Sequence, residues 1–250
     1  MQVVVDGLLT EYTQTGQGKV VVLLHGWGDN AKTYANLQTQ LAKKYCVVSL
    51  DLPGFGGTQV PNEVWGLASY ANFTKSFLEK LKLHDVYAFV GHSNGGALAI
   101  MGLGLGVLES QKLVLIASAG IRDKQKARRL FVKVVAKTGK VATFWLPKVT
   151  KHKLQKRFYG AVGSDMLVVP QLQETFKKTV REDVQDQAKM LTLPTLLIYG
   201  LQDKATPVLY GRLYKALIKD SKLVVLDNAE HFVHHDQADK TTRLIMDFLK

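Results

Sequence analysis

One feature constrains the chain more than any other: strand-sized apolar runs alternate with helix-length amphipathic stretches. Val20-Val21-Val22-Leu23-Leu24, Cys46-Val47-Val48-Ser49-Leu50, Val86-Tyr87-Ala88-Phe89-Val90 and Leu113-Val114-Leu115-Ile116-Ala117 read as strands. Segments 31–44, 64–83 and 95–108 between them read as helices. Strands apolar on nearly every residue are covered on both faces, and strands joined through helices run parallel. The expected fold is therefore α/β, a mostly parallel sheet with helices on both faces. Segments 3–5 and 8–13 predict an antiparallel hairpin at one edge. The alternation breaks at Ala119 and resumes with a strand at 195–199, a helix at 208–218, a strand at 222–226 and a closing helix at 234–250. What lies between has helical periodicity without a strand run, and reads as an insertion into one sheet domain.

Composition narrows the function classes. The 250 residues are 46% hydrophobic and 22% charged, enough apolar surface to offset chain entropy. No apolar run reaches membrane-spanning length, and the first residues lack the pattern of a secretory signal. The single cysteine, Cys46, lies in an apolar run, which excludes a disulfide framework and a multi-cysteine metal site. A cytoplasmic location is the expectation.

The net charge of +12 is local. Segment 121–157 holds thirteen basic residues against one acid, Asp123, while the remainder is balanced at twenty of each sign. Ala127, Leu130, Phe131, Val134, Val135, Val141, Ala142 and Trp145 recur at helical spacing, with Arg128, Arg129, Lys133, Lys137 and Lys140 mostly between them. That pattern is a basic amphipathic helix. Its first reading is a solvated outer face; weak attraction to an anionic membrane surface is second, and an acidic substrate or partner third. No recognition motif accompanies the charge, so nucleic acid is not expected. Gly102, Gly104 and Gly106 follow no strand and form no dinucleotide fingerprint; close helix–sheet packing accounts for them.

Directly after the strand at 86–90 comes Gly91-His92-Ser93-Asn94-Gly95-Gly96, a G-x-S-x-G pattern opening a helix. A serine on so sharp a turn takes a strained backbone and lifts its hydroxyl clear of both elements, with glycines where a side chain would clash. His25-Gly26-Trp27-Gly28 follows the strand at 20–24. Backbone N–H groups of Trp27 and Asn94 are the candidate donors to an oxyanion near Ser93.

Together with Asp51-Leu52-Pro53-Gly54-Phe55-Gly56, these two turns resemble the α/β-hydrolase superfamily, in the branch of small esterases, C–C bond hydrolases and cofactor-free haloperoxidases. The resemblance implies an eight-stranded, mostly parallel sheet with a helical cap inserted after the sixth strand. The core would be 1–118 and 191–250, and the cap 119–190. It also implies the chain order serine, acid, histidine. Asp203 lies a few residues past the strand at 195–199, on the functional edge of a parallel sheet, and is the expected acid; Asp123 is its rival. His231, in the loop after the last strand, stands where the family carries its base. His234 and His235 are assigned to the closing helix, and His25 and His92 to structural roles beside the site. The histidines have no metal-site spacing, and no cofactor is expected.

The expected activity is that of a serine hydrolase on a small carboxylic ester or thioester, through an acyl-enzyme on Ser93. C–C bond hydrolysis of a β-diketone-like substrate is the alternative, although Phe232 follows His231 where those enzymes often carry tryptophan nearby. A hydrolase-fold protein that only binds a ligand is the alternative of another class. The expected pocket is apolar, lined from the cap by Phe131, Phe144, Trp145, Phe158 and Tyr159. Oligomeric state is not legible.

Overall fold

The computed structural model of the chain describes residues 1–122 and 170–250. The insertion's basic helix, Asp123 and the five aromatic pocket candidates (Phe131, Phe144, Trp145, Phe158 and Tyr159) lie outside the described residues.

Eight strands form one sheet: β1 (Gln2–Val5), β2 (Leu8–Thr15), β3 (Val20–Leu24), β4 (Cys46–Leu50), β5 (Val86–His92), β6 (Lys112–Ile116), β7 (Thr195–Gly200) and β8 (Ser221–Leu226). Their order is β1-β2-β4-β3-β5-β6-β7-β8. The hairpin β1–β2 and the β2–β4 pair are antiparallel, and every other pair is parallel. The expected fold class holds, with the hairpin at the edge.

Side chains of β3 alternate between the two faces. Val22 and Leu24 join the apolar cluster under α2 (Leu67–Lys80) and α3 (Asn94–Gly104), whereas Val21 and Leu23 join the one under α1 (Ala35–Leu41). Both clusters are fully enclosed at these positions, which is why the strands are apolar throughout. Strand β5 departs from strict alternation. The β3–β5 register shifts between Val20 and Val21, skipping Tyr87, so Tyr87 and Ala88 both face the second cluster. The later helices are α4 (Gln173–Thr179), α5 (Gln185–Lys189), α6 (Val208–Leu217), α7 (Val233–Asp236) and α8 (Ala238–Leu249).

Three local expectations need correction. Segment 31–44 begins as a 3₁₀ turn, Ala31–Tyr34, because the Asp51 carboxylate takes the Ala31 N–H at 2.7 Å and the Asn30 side chain takes that of Lys32. The closing helix is broken at Gln237, whose side-chain amide donates to the carbonyls of Asp227 and Asn228; His234 and His235 lie on the short piece, α7. Gly102 and Gly104 serve helix–helix contact, not helix–sheet packing: a Cβ would meet Leu108 and Ala71 at the first, and Gln187 of α5 at the second.

The sheet's topology locates the site. From β3 the chain steps to β4 on one side, then returns to place β5 on the other. The carboxyl ends of β3 and β5 therefore open into a crevice that no crossover connection fills.

Candidate active site

Adjacent parallel strands deliver the first two loops to one point. Leu24 of β3 is in register with Gly91 of β5, so the turn after β3, with Trp27, runs beside the turn that carries Ser93. Ser93 has φ +50° and ψ −114°, a strained conformation for a residue with a side chain. The surroundings enforce it. Its N–H donates to Ile116 of β6, and its carbonyl accepts from Gly96, Ala97 and Ala119. The flanking glycines are steric requirements: a Cβ on Gly95 would lie 2.1 Å from the Leu24 carbonyl oxygen, and one on Gly91 2.6 Å from the Gly96 Cα.

The Asp51 motif is an anchor behind this turn. Its buried carboxylate accepts the N–H groups of Ala31 and Gly57, at 2.7 and 2.8 Å. His25 ties the same two loops together, accepting the Leu52 N–H at Nε2 (2.9 Å) and donating from Nδ1 to Gly26. Phe55 packs edge-on against the His25 and Trp27 rings.

Strands β7 and β8 bring up the other groups. His231 Nε2 is 3.0 Å from Ser93 Oγ, and His231 Nδ1 is 2.8 Å from Asp203 Oδ2. With Nδ1–H donating to the carboxylate, Nε2 presents its lone pair to the serine hydroxyl. The Asp203 side chain is inaccessible, whereas the His231 side chain remains 23% exposed, open to the crevice. Burial pushes the Asp203 carboxyl upward. The His231 bond and the donors of Thr206 outweigh it and hold the acid below its ordinary range.

Thr206 was not foreseen. Asp203 Oδ1 accepts the N–H groups of Ala205 and Thr206, at 2.7 and 2.9 Å. The Thr206 hydroxyl lies 2.7 Å from Asp203 Oδ2, 2.9 Å from the Ala117 carbonyl and 3.1 Å from His231 Nδ1. Its signal was present, since Asp203-Lys204-Ala205-Thr206-Pro207 is an aspartate turn closed three residues on by a hydroxyl.

His92, expected as a neighbour, is buried and donates its Nε2–H to the His231 carbonyl at 3.0 Å. Burial, followed by His234 and His231, holds it well below the usual histidine range, so it is neutral. It therefore positions the backbone of the loop that carries His231. Although His92, His231 and His234 have neighbouring rings, no group of three or more His, Cys, Asp or Glu among the described residues is arranged to hold a metal.

Trp27 and Asn94 line the same pocket as Ser93 and His231, beside the N-terminus of α3, where helix N–H groups favour negative charge. The rest of that wall, among the described residues, includes Arg122, Phe176, Thr179, Val180 and Tyr210. None of these was named from the sequence as a pocket residue, Arg122 having been counted only with the basic residues of segment 121–157, because side chains from segments far apart in the chain meet there only in the fold.

A sequence profile of the alpha/beta hydrolase family matches residues 21–244. The chain is 26% identical over 243 residues to pimeloyl-[acyl-carrier protein] methyl ester esterase of Legionella pneumophila, covering 94% of this chain and 97% of that protein. It is 25% identical over 258 residues to 2-hydroxy-6-oxo-6-(2'-aminophenyl)hexa-2,4-dienoic acid hydrolase of Metapseudomonas resinovorans, covering 97% and 88%. Among solved structures, a bacterial membrane phospholipase A superposes with a TM-score of 0.78 at 22% identity, covering 100% and 84%.

Proposed function

The chain belongs to the alpha/beta hydrolase family, and on that footing we propose that it is a serine hydrolase cleaving a small carboxylic ester or thioester. One observation carries this reading: the hydrogen-bonded line from Ser93 Oγ through His231 to Asp203, with the strained serine facing a pocket. In the proposed reaction the Ser93 oxygen attacks the carbonyl carbon as its proton passes to His231 Nε2. Asp203 holds the imidazole in the required tautomer and stabilises the imidazolium. The backbone N–H groups of Trp27 and Asn94 take the oxyanion; in a well-studied protease, removing one such donor costs about 3–4 kcal/mol. His231 then returns the proton to the leaving alcohol or thiol as its bond to carbon breaks. Water, deprotonated by the same nitrogen, releases the acid and restores Ser93. In this reading 1–118 with 191–250 is the core and 119–190 the cap.

The methyl ester esterase among the relatives supports ester cleavage. The dienoic acid hydrolase supports a second reading, C–C bond hydrolysis through the same residues.

A fluorophosphonate probe tests the nucleophile. It is expected to label Ser93, and labelling is expected to vanish in Ser93→Ala and to fall sharply in His231→Ala. Labelling of a different serine in folded protein overturns the assignment. A turnover panel of p-nitrophenyl esters, thioesters and dienone substrates, with Ser93→Ala as the blank, separates the two readings.

A further inference from the structure

The pocket beside Ser93 contains a cation that the proposed chemistry does not use. Arg122 lines it together with Ser93, Thr206, Tyr210 and His231. The loop that carries it is fastened to the nucleophile, because the Ala119 N–H donates to the Ser93 carbonyl at 3.0 Å. Three residues span at most roughly 10 Å, so the Arg122 backbone stays within roughly that distance of Ala119, the residue bonded to Ser93. The side chain is held by Arg122 Nε, which donates to the Glu182 carbonyl at 3.3 Å, and the backbone by the Gln185 side-chain amide, which donates to the Arg122 carbonyl at 3.4 Å.

Those bonds leave the outer guanidinium nitrogens of Arg122 outside every ion pair found among the described residues. The nearby acid, Asp183, already accepts both the backbone and side-chain N–H groups of Gln185. Burial lowers the guanidinium's proton affinity, an effect its acidic neighbours, Asp183 among them, partly offset; it remains fully charged at neutral pH. A half-buried charge costs free energy unless something pairs with it. A planar guanidinium is suited to a carboxylate, which it can grip through two parallel bonds.

We infer that Arg122 is a carboxylate-binding residue of the substrate pocket, and that the substrate is an ester or thioester bearing a free carboxylate within a few carbon–carbon bonds of the scissile carbonyl. The inference rests on the serine hydrolase reading for the chemistry but not for the binding. A neutral ester fills the same space and leaves the cation unmatched. A half-ester of a short dicarboxylic acid matches it.

The test separates binding from turnover. Ser93→Ala protein, which cannot form an acyl-enzyme, is titrated calorimetrically with monomethyl glutarate and with neutral dimethyl glutarate. The half-ester is expected to bind at least about tenfold more tightly. In Ser93→Ala combined with Arg122→Gln the preference is expected to fall to about twofold or less. Arg122→Lys, which keeps the charge but loses the fork, is expected to restore part of it and guards against a folding defect in the glutamine variant. Equal binding of the two ligands, or a preference that survives Arg122→Gln, overturns the inference. Fluorophosphonate labelling of the native protein reports separately on Ser93. Labelling without a carboxylate preference removes the anion site and leaves the hydrolase. A preference without labelling keeps the anion site and removes the nucleophile.

Discussion

The Thr206 hydroxyl lies 2.7 Å from the same Asp203 oxygen that accepts the His231 Nδ1–H bond. It has one hydrogen and two acceptors in reach, Asp203 Oδ2 and the Ala117 carbonyl. Ala117 is itself strained, at φ +45°. One buried hydroxyl thus joins the acid, the base and the end of β6.

Thr206→Val keeps the shape and removes the hydroxyl. A buried acceptor then goes unpaired, at a cost of about 1–3 kcal/mol, and the carboxylate is less firmly held. We expect kcat on a p-nitrophenyl ester to fall on the order of tenfold, a small share of what general acid–base catalysis supplies, with KM little changed. Thr206→Ser is expected to recover most of the loss. An unchanged kcat in Thr206→Val would make the residue purely structural.

The two candidate acids separate in the same assay. Asp203→Asn removes the acceptor that fixes the His231 tautomer, and kcat is expected to drop on the order of 10⁴-fold, as in the protease triad. Asp123→Asn is expected to leave it unchanged. The reverse result would move the acid to the segment after β6.

Two neighbouring glycines are expected to differ in tolerance. A Cβ on Gly95 meets backbone, the Leu24 carbonyl oxygen, which cannot move without shifting β3; on Gly96 the nearest atom is the Ser118 hydroxyl at 2.5 Å. The hydroxyl can rotate away, but the Ser118 Cβ, at 2.9 Å, yields only with a small shift of its backbone. Overpacking costs about 1–3 kcal/mol and occasionally more, so Gly95→Ala, which meets only backbone at 2.1–2.6 Å, is expected above that range and Gly96→Ala within it, by urea denaturation. Equal losses would mean that the turn relaxes as a unit.

The sheet was legible because enclosed strands have to be apolar, and the runs at 20–24 and 46–50 match β3 and β4 to the residue. The line Ser93–His231–Asp203 was reached through the chain order that the family resemblance implies, together with position at strand ends, which parallel register turns into proximity. What escaped depends on long-range partners. The start of α2 is set by Glu182, whose carboxylate takes the Leu67 N–H at 2.6 Å across 115 positions of sequence. Likewise, nothing local marks Arg122 as facing Ser93, since its place depends on the Ala119–Ser93 bond and on Glu182 and Gln185.

The histidines behind Ser93 should make stability depend on pH near neutrality. His234 is buried against His92, His235 and Phe232 and bonded at Nε2 to the Thr33 hydroxyl, while its Nδ1 has no hydrogen-bond partner among the described residues. Burial, then His235 and His231, push it down to about 3; His92 and His25 are depressed too, chiefly by burial. The sign follows from proton counts. Below about pH 6.5 the unfolded chain protonates these imidazoles, whereas the folded protein keeps them neutral. Stability is therefore lost as pH falls below 6.5, by up to about 1.4 kcal/mol per pH unit for each such histidine, and for His234 the loss continues to about pH 3. His234→Gln removes one of these titrations and keeps a side chain able to bond Thr33. Urea denaturation at pH 7, 6 and 5 is expected to give a shallower decline for His234→Gln, by about one proton's worth. An unchanged slope would mean that His234 takes up a proton in the folded protein as readily as in the unfolded chain.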